Sequence, residues 1–256
     1  MLEIAKFTLI TGASSGIGAA VAIRLASSNN LILWGRNVER LNKIKNECIN
    51  SAQKNGDSNI LEPIVVSSDL SDIGNIECVL KNFKNMVKND FIISKFVHCA
   101  GIVEINAVKN FNYNNILEMF EINVFSAMEL IKHLIRKKYN NKALENIVFI
   151  SSVSSINGYS GNCYYSATKG SIDSYMKSLA KELAPNVRCN SILPATVNVM
   201  SGTIANCLEE SKEADENYLL GAGTVNDVVV MIEYLLSDKA RWITGQQFVV
   251  DGGFTL

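Results

Sequence analysis

A chain of 256 residues with 48% hydrophobic and 19% charged side chains and three prolines has the composition of a globular protein, which excludes a disordered or fibrous one. Its formal net charge of −1 provides no global attraction to nucleic acid or an anionic membrane surface. Two histidines, His98 and His133, exclude a histidine-rich metal centre; six scattered cysteines without a Cys-x-x-Cys pair or a secretory leader point to reduced thiols in a cytoplasmic protein. No apolar run reaches the roughly eighteen residues needed to span a bilayer.

Along the chain, short β-branched runs alternate with longer amphipathic stretches. Strand Phe7–Thr11 leads into helix Gly16–Ser28, strand Leu31–Trp34 into helix Val38–Asn55, and strand Ile64–Ser67 into helix Ile73–Val87. Strand Phe96–Cys99 precedes helix Asn114–Tyr139, strand Ile147–Ser151 precedes helix Tyr165–Ala184, and strand Val187–Leu193 precedes helix Thr224–Leu236, with a last strand at Gln247–Val250. Right-handed crossovers between such units build a parallel sheet covered on both faces. The expected fold is α/β, a single-domain, doubly wound (Rossmann) sheet of seven parallel strands spanning residues 1–256. Segment Asn50–Asn59 reads as a polar surface loop. Residues 195–223, with the charged run Glu209–Glu216, read as a long connection suited to cover a ligand.

The first strand runs into Thr11-Gly12-Ala13-Ser14-Ser15-Gly16-Ile17-Gly18. A glycine turn there directs backbone N–H groups and a helix N-terminus at a pyrophosphate. Such a site reads the adenosine ribose at the end of the second strand, with an acidic residue for a free 2′-hydroxyl or an arginine for a 2′-phosphate. The stretch Leu33-Trp34-Gly35-Arg36-Asn37 lacks a carboxylate and supplies a guanidinium fork in Arg36, which favours NADP(H) over NAD(H). After the third strand, Ser68-Asp69-Leu70 places Asp69 to accept from the adenine amino group, or to cap a turn.

Tyr165 and Lys169 are one helical turn apart and share a helix face. A phenol beside an ammonium and an oxidised nicotinamide becomes a usable proton donor and acceptor. Taken alone this spacing is close to chance. Thirteen residues upstream Ser152 ends a strand, where its hydroxyl can polarise a substrate carbonyl. Asn123 lies inside a predicted helix, His98 reads as packed rather than catalytic, and His133 as a helix-surface residue.

Together the glycine turn, Ser152 and the Tyr165/Lys169 pair resemble the short-chain dehydrogenase/reductase family over the whole chain, near its 3-oxoacyl-carrier-protein reductase branch. Further matches are Val97-His98-Cys99-Ala100-Gly101, Asn123 in Phe120-Glu121-Ile122-Asn123-Val124, Ile243-Thr244-Gly245-Gln246 and Val250-Asp251-Gly252-Gly253. The resemblance implies a Ser152–Tyr165–Lys169–Asn123 tetrad in which Asn123 bends its helix and holds a water, and Lys169 grips the nicotinamide ribose. It places Leu70, Ala100, Gly101, Pro194 and Val197 at the cofactor, together with Gly12, Ser14, Ser15, Gly16, Ile17 and Gly18. It implies a small or carrier-bound carbonyl substrate and a homo-oligomer, tetramer or dimer, built on helices 114–139 and 165–184. The chain departs from the family where His98-Cys99 replaces Asn-Asn. It departs again where Pro194-Ala195-Thr196-Val197-Asn198-Val199 replaces Pro-Gly-x-x-x-Thr, which removes one usual contact to the carboxamide. The alternatives are an NAD-dependent alcohol or sugar dehydrogenase and a cofactor-binding protein without catalysis.

Overall fold

The computed structural model describes residues 4–54, 61–86, 91–197 and 218–256. Seven strands, β1 (Ala5–Thr11), β2 (Asn30–Gly35), β3 (Ile64–Ser67), β4 (Phe91–His98), β5 (Asn146–Ile150), β6 (Arg188–Pro194) and β7 (Gln247–Val250), form one sheet in the order β3-β2-β1-β4-β5-β6-β7. All six pairings are parallel. The order reverses between β1 and β4, where Thr11 lies opposite His98. A crevice at the carboxyl ends of the strands is expected at such a switch.

The strands read as continuous apolar runs because both faces of the sheet are covered. Their period of two sends alternate residues to separate cores. Phe7, Leu9, Ile32, Trp34, Ile147 and Phe149 face one side; Ile10, Leu31, Leu33, Val148 and Ile150 face the other. The second core is closed by α1 (Gly16–Leu25) and α2 (Val38–Lys54), and by a last long helix that packs beside α1. Removing a Leu or Ile side chain such as Leu9 or Ile10, neither exposed at all, from water contributes about 1.5–3 kcal/mol.

On the first side, a 3-10 turn at Ile73–Asn75 precedes α3 (Ile76–Met86), shorter than the single helix expected from Ile73. β4 begins at Phe91, five residues before the predicted start, because Phe91 packs edge-on against Phe7 and Phe83. The predicted helix 114–139 is not one helix. It divides into α4 (Tyr113–Phe120), a π-helical segment Glu121–Phe125, α5 (Ser126–Leu134) and the single turn α6 (Lys137–Asn140). Asn112 starts α4 by accepting from the N–H groups of Asn114 and Asn115. Asn140 stops the run: its buried amide accepts from Ile93 N at 2.7 Å and donates to Ile93 O at 2.8 Å and Leu134 O at 3.0 Å. The ladder between β1 and β4 slips at Phe7/Thr8, beside this anchor.

His133 is not on the helix surface. It is 1% exposed, hydrogen-bonded to Glu129 at 2.9 Å and packed edge-on against Tyr139. The helical period placed it correctly on a turn, but α6 folds back over it. The remaining helices are α7 (Cys163–Leu183) and α8 (Val225–Leu236), the long helix beside α1, opened by a reciprocal cap between Thr224 and Asp227. No helix among the described residues is long and apolar enough to cross a membrane.

Candidate active site

The carboxyl ends of the strands open onto a cleft of about 690 Å³. Its first wall is the turn after β1. Gly12 and Gly16 have φ of +66° and +57°, and a Cβ on Gly12 would lie 2.8 Å from Ala100 N. Gly18 is tighter, since its Cβ would meet Gly12 O at 2.4 Å. These contacts require glycine at Gly12 and Gly18, and they bring the backbone to the cleft. Ser15 caps α1 without a side-chain cap bond, so its hydroxyl does not occupy the first N–H groups of the helix. Ser14, Ser15, Gly16, Ile17 and Gly18 all line the cleft. A helix N-terminus open in this way fits a dinucleotide pyrophosphate.

At the far end, Arg36 follows β2 and lies 3.6 Å from Asp69, both half-exposed. Asp69 Oδ1 accepts from Ser71 N and Ser71 Oγ, each at 2.9 Å, so the turn cap foreseen for it is formed. Burial pushes the Asp69 carboxyl up, but the Ser71 bonds and the Arg36 guanidinium outweigh it and hold the group below the usual range. Leu70 lines the same end. So does Arg40, which the sequence analysis missed although it lies one helical turn beyond Arg36.

The floor is made by Cys99, Ala100 and Gly101 after β4. Ala100 N donates to Thr11 Oγ1 at 3.3 Å, and Thr11 Oγ1 lies 2.9 Å from His98 Nδ1. His98 is buried under the floor; burial first, and the charge of Lys169 second, push it down to about 3. It is therefore a neutral packed residue, in line with the expectation. Burial likewise pushes the Cys99 thiol up to about 12, against the opposing pull of Lys169.

The third wall comes from β5 and α7. Ser152, 9% exposed, caps the 3-10 turn Val153–Ser155 by accepting from Ser154 N at 3.1 Å, which leaves its hydroxyl proton for another acceptor. Lys169 Nζ donates to Ile150 O at 2.8 Å and stands 5.6 Å from the centre of the Tyr165 ring. One turn further along α7, Asp173 accepts from Ser151 Oγ at 2.9 Å, binding the helix to the residue before Ser152.

Asn123 does not line the cleft. It lies in the π-helical segment, accepts from Ile102 N at 2.8 Å, and donates to Ile102 O and Thr168 Oγ1, each at 3.0 Å. Asn123 and Lys169 meet at Gly101, where a Cβ would lie 3.4 Å from Asn123 Oδ1 and from Lys169 Nζ. Every other residue proposed from sequence, including Pro194 and Val197, lines the cleft. Thr196 lines it too; Asn198, Val199 and the run Glu209–Glu216 lie outside the described residues. Phe254 was missed, although the glycine turn Gly252-Gly253 just before it was a signal; Tyr159 and Asn162 fall in the segment Ser154–Tyr164, which reads from sequence as substrate-facing but has no pattern that singles them out.

The chain that carries this cleft matches known proteins in sequence and in shape. The family model described as enoyl-(acyl carrier protein) reductase matches residues 12–255. The chain is a short-chain dehydrogenase/reductase. Among its relatives in this family, the 3-oxoacyl-[acyl-carrier-protein] reductase FabG of Buchnera aphidicola is 28% identical, over 97% of this chain and 96% of that protein. The L-xylulose reductase of Caenorhabditis elegans is 31% identical, over 98% and 96%. A short-chain type dehydrogenase/reductase from Mycobacterium ulcerans superposes with a TM-score of 0.83 at 27% identity, covering 99% of this chain and 91% of that one. The seven-stranded parallel sheet is thus the fold of this reductase family, and the chain is an oxidoreductase by membership.

Proposed function

We propose that this reductase interconverts a carbonyl and an alcohol with NADP(H), on a small or carrier-bound substrate. The observation that carries the reading is that Ser152, Tyr165 and Lys169 share one cleft with the open N-terminus of α1 and with Arg36. The residues fit the cofactor: Gly12 to Gly18 with the pyrophosphate, Arg36 and Arg40 with a 2′-phosphate, and Lys169 with the nicotinamide ribose. When bound, the nicotinamide supplies or takes the hydride.

The protein's residues handle the rest. Ser152 donates its free hydroxyl proton toward the substrate oxygen and orients it. Tyr165 passes a proton to that oxygen as the alcohol forms. Lys169, held by Ile150 O, keeps positive charge beside the phenol. Asn123 fixes Ile102 and Thr168, and through Thr168 the backbone at Tyr165 O, 2.8 Å away; we assign it a positioning role.

The test is purified protein with NADPH and a panel of ketones, aldehydes and β-ketoacyl thioesters, followed by NADPH absorbance. Tyr165→Phe is expected to lower kcat by about 10²- to 10⁴-fold while still binding NADPH. Turnover at the wild-type rate would refute the mechanism.

A second reading, an NAD-dependent alcohol or sugar dehydrogenase, is favoured by the pairing of Arg36 with Asp69, which engages the guanidinium. Tighter binding of NADH than NADPH in a fluorescence titration would select it. We further propose a cytoplasmic homo-oligomer. The exposed apolar side chains of Tyr113 and Phe125 on the α4–α5 region, and of Val230, Tyr234 and Trp242 at and after α8, favour association of copies.

A further inference from the structure

The catalytic wall continues into a part of the cleft that the cofactor reading leaves unused. Val103, Ile105, Tyr159 and Phe254 line it. This lining is fixed in place. Asn106 N donates to Gly161 O at 2.9 Å, and a Cβ on Gly161 would lie 2.8 Å from Ile105 Cγ2, so the two loops are in contact.

Phe254 is held more firmly still. Asp251 accepts from Gly253 N, Thr255 N and Thr255 Oγ1 at 2.7–2.9 Å, which closes a turn around it. Gly253, at φ +86°, lies against Leu219, where a Cβ would be 2.9 Å from Cδ1. The Phe254 ring stacks with two tyrosines, Tyr218 centred 5.0 Å away at 24° and Tyr159 5.8 Å away at 30°. Three near-parallel rings thus back this end of the cleft.

Two buried atoms on the same wall have no partner, Tyr159 Oη and Asn162 Oδ1. Both atoms are closed off from the cleft, so they give a ligand there no polar anchor. The charged residues lining the described cleft lie elsewhere: Arg36, Arg40 and Asp69 at the adenosine end, Lys169 beside Tyr165.

We infer that this end of the cleft is a subsite for a flat, uncharged, apolar arm of the substrate, so that the chain prefers aryl ketones or aldehydes to aliphatic or polyol ones. The inference rests on the carbonyl-reductase reading above and narrows it. A flat ring packs among Tyr159, Phe254, Val103 and Ile105, and aromatic contact with Tyr159 or with the edge of Phe254 adds to simple burial.

The experiment compares kcat/KM, with NADPH saturating, for 1-phenyl-1,2-propanedione, hexane-2,3-dione and xylulose. The expected result is a preference for the aryl dione over either competitor by about 5- to 10-fold. Phe254→Leu is expected to erase that preference, mainly through KM for the aryl dione. Tyr159→Leu, on a different loop, should do the same, and NADPH binding serves as the check that both variants fold. Wild-type protein that reduces hexane-2,3-dione or xylulose as well as the aryl dione overturns the inference and leaves the carbonyl-reductase reading standing. So does a preference that survives both substitutions. If none of these compounds nor the wider panel is reduced although NADPH binds, the functional reading itself fails, and this inference with it.

Discussion

Arg36 has two possible partners, Asp69 at 3.6 Å and the 2′-phosphate proposed for the cofactor. Their pair is exposed on both sides, where an ion pair contributes little. A phosphate with two negative charges and fork-shaped geometry should therefore displace the carboxylate with little penalty. Arg36→Leu is expected to raise the Kd for NADPH by about 10- to 100-fold while changing that for NADH far less, since a charged hydrogen bond contributes about 1.5–3 kcal/mol. Equal losses for the two cofactors, read by fluorescence titration, would remove Arg36 from the 2′-phosphate site. His98 makes a different kind of prediction. Its folded value of about 3 lies below the ordinary 6.5, so only the unfolded chain takes up a proton between them. Stability contributed by neutral His98 is therefore complete above about pH 6.5 and is lost as pH falls, with a slope approaching ~1.4 kcal/mol per pH unit. Urea unfolding between pH 7 and 5 should show this fall, and His98→Asn should flatten it. Parallel slopes in the two proteins would mean that His98 is not the group responsible.

At the scale of elements, the π-helical segment is what brings Asn123 to Gly101. A regular helix through Glu121–Phe125 would turn residue 123 away from both Ile102 and Thr168, and the three bonds of its amide would be lost together. Asn123→Ala should lower stability by about 1–3 kcal/mol, because Ile102 and Thr168 lose their partners, and should lower kcat as well. Thr168→Val removes one of these bonds and should cost less on both counts. Urea midpoints and kcat for the pair check the ordering; an Asn123→Ala variant as stable as Thr168→Val would contradict it. This is also where the sequence was least legible. Apolar spacing predicted one helix over 114–139, since α4, the π turn and α5 share a continuous apolar face, and the insertion of one residue per turn leaves no compositional mark. The stop at Asn140 was invisible for a related reason: its cause is a tertiary bond to Ile93 in β4, not a local breaker. The burial of His133 follows from that stop.

For the whole molecule, alternation of short β-branched runs and amphipathic stretches was enough to give seven strands and a doubly wound sheet, because each element has to bury a face and the connections allow few ways of doing so. Ser152, Tyr165 and Lys169, singled out by their joint occurrence and the family resemblance, line one cleft with the glycines of the first turn. What could not be read were contacts between distant loops: Tyr159 against Phe254, Asn162, and Arg40 as a cleft residue. Those are fixed by where strand ends come together, not by local pattern. The reversal of strand order between β1 and β4 has a further consequence. The cleft straddles a seam between two portions of sheet whose adjoining strands, paired from Ala5↔Phe91 to Thr11↔His98, are far apart in the chain. The dinucleotide proposed for that cleft would bind the native state and not the unfolded one, so NADPH at a hundred times its Kd should add about 2.7 kcal/mol of stability. Amide hydrogens of β1 and β4 that exchange only on global opening should then slow about a hundredfold; exchange unaffected by NADPH would show that the native state does not bind it. Protein starved of cofactor would open more often and be degraded sooner, so the supply of NADPH should set the protein's lifetime as well as its rate of turnover.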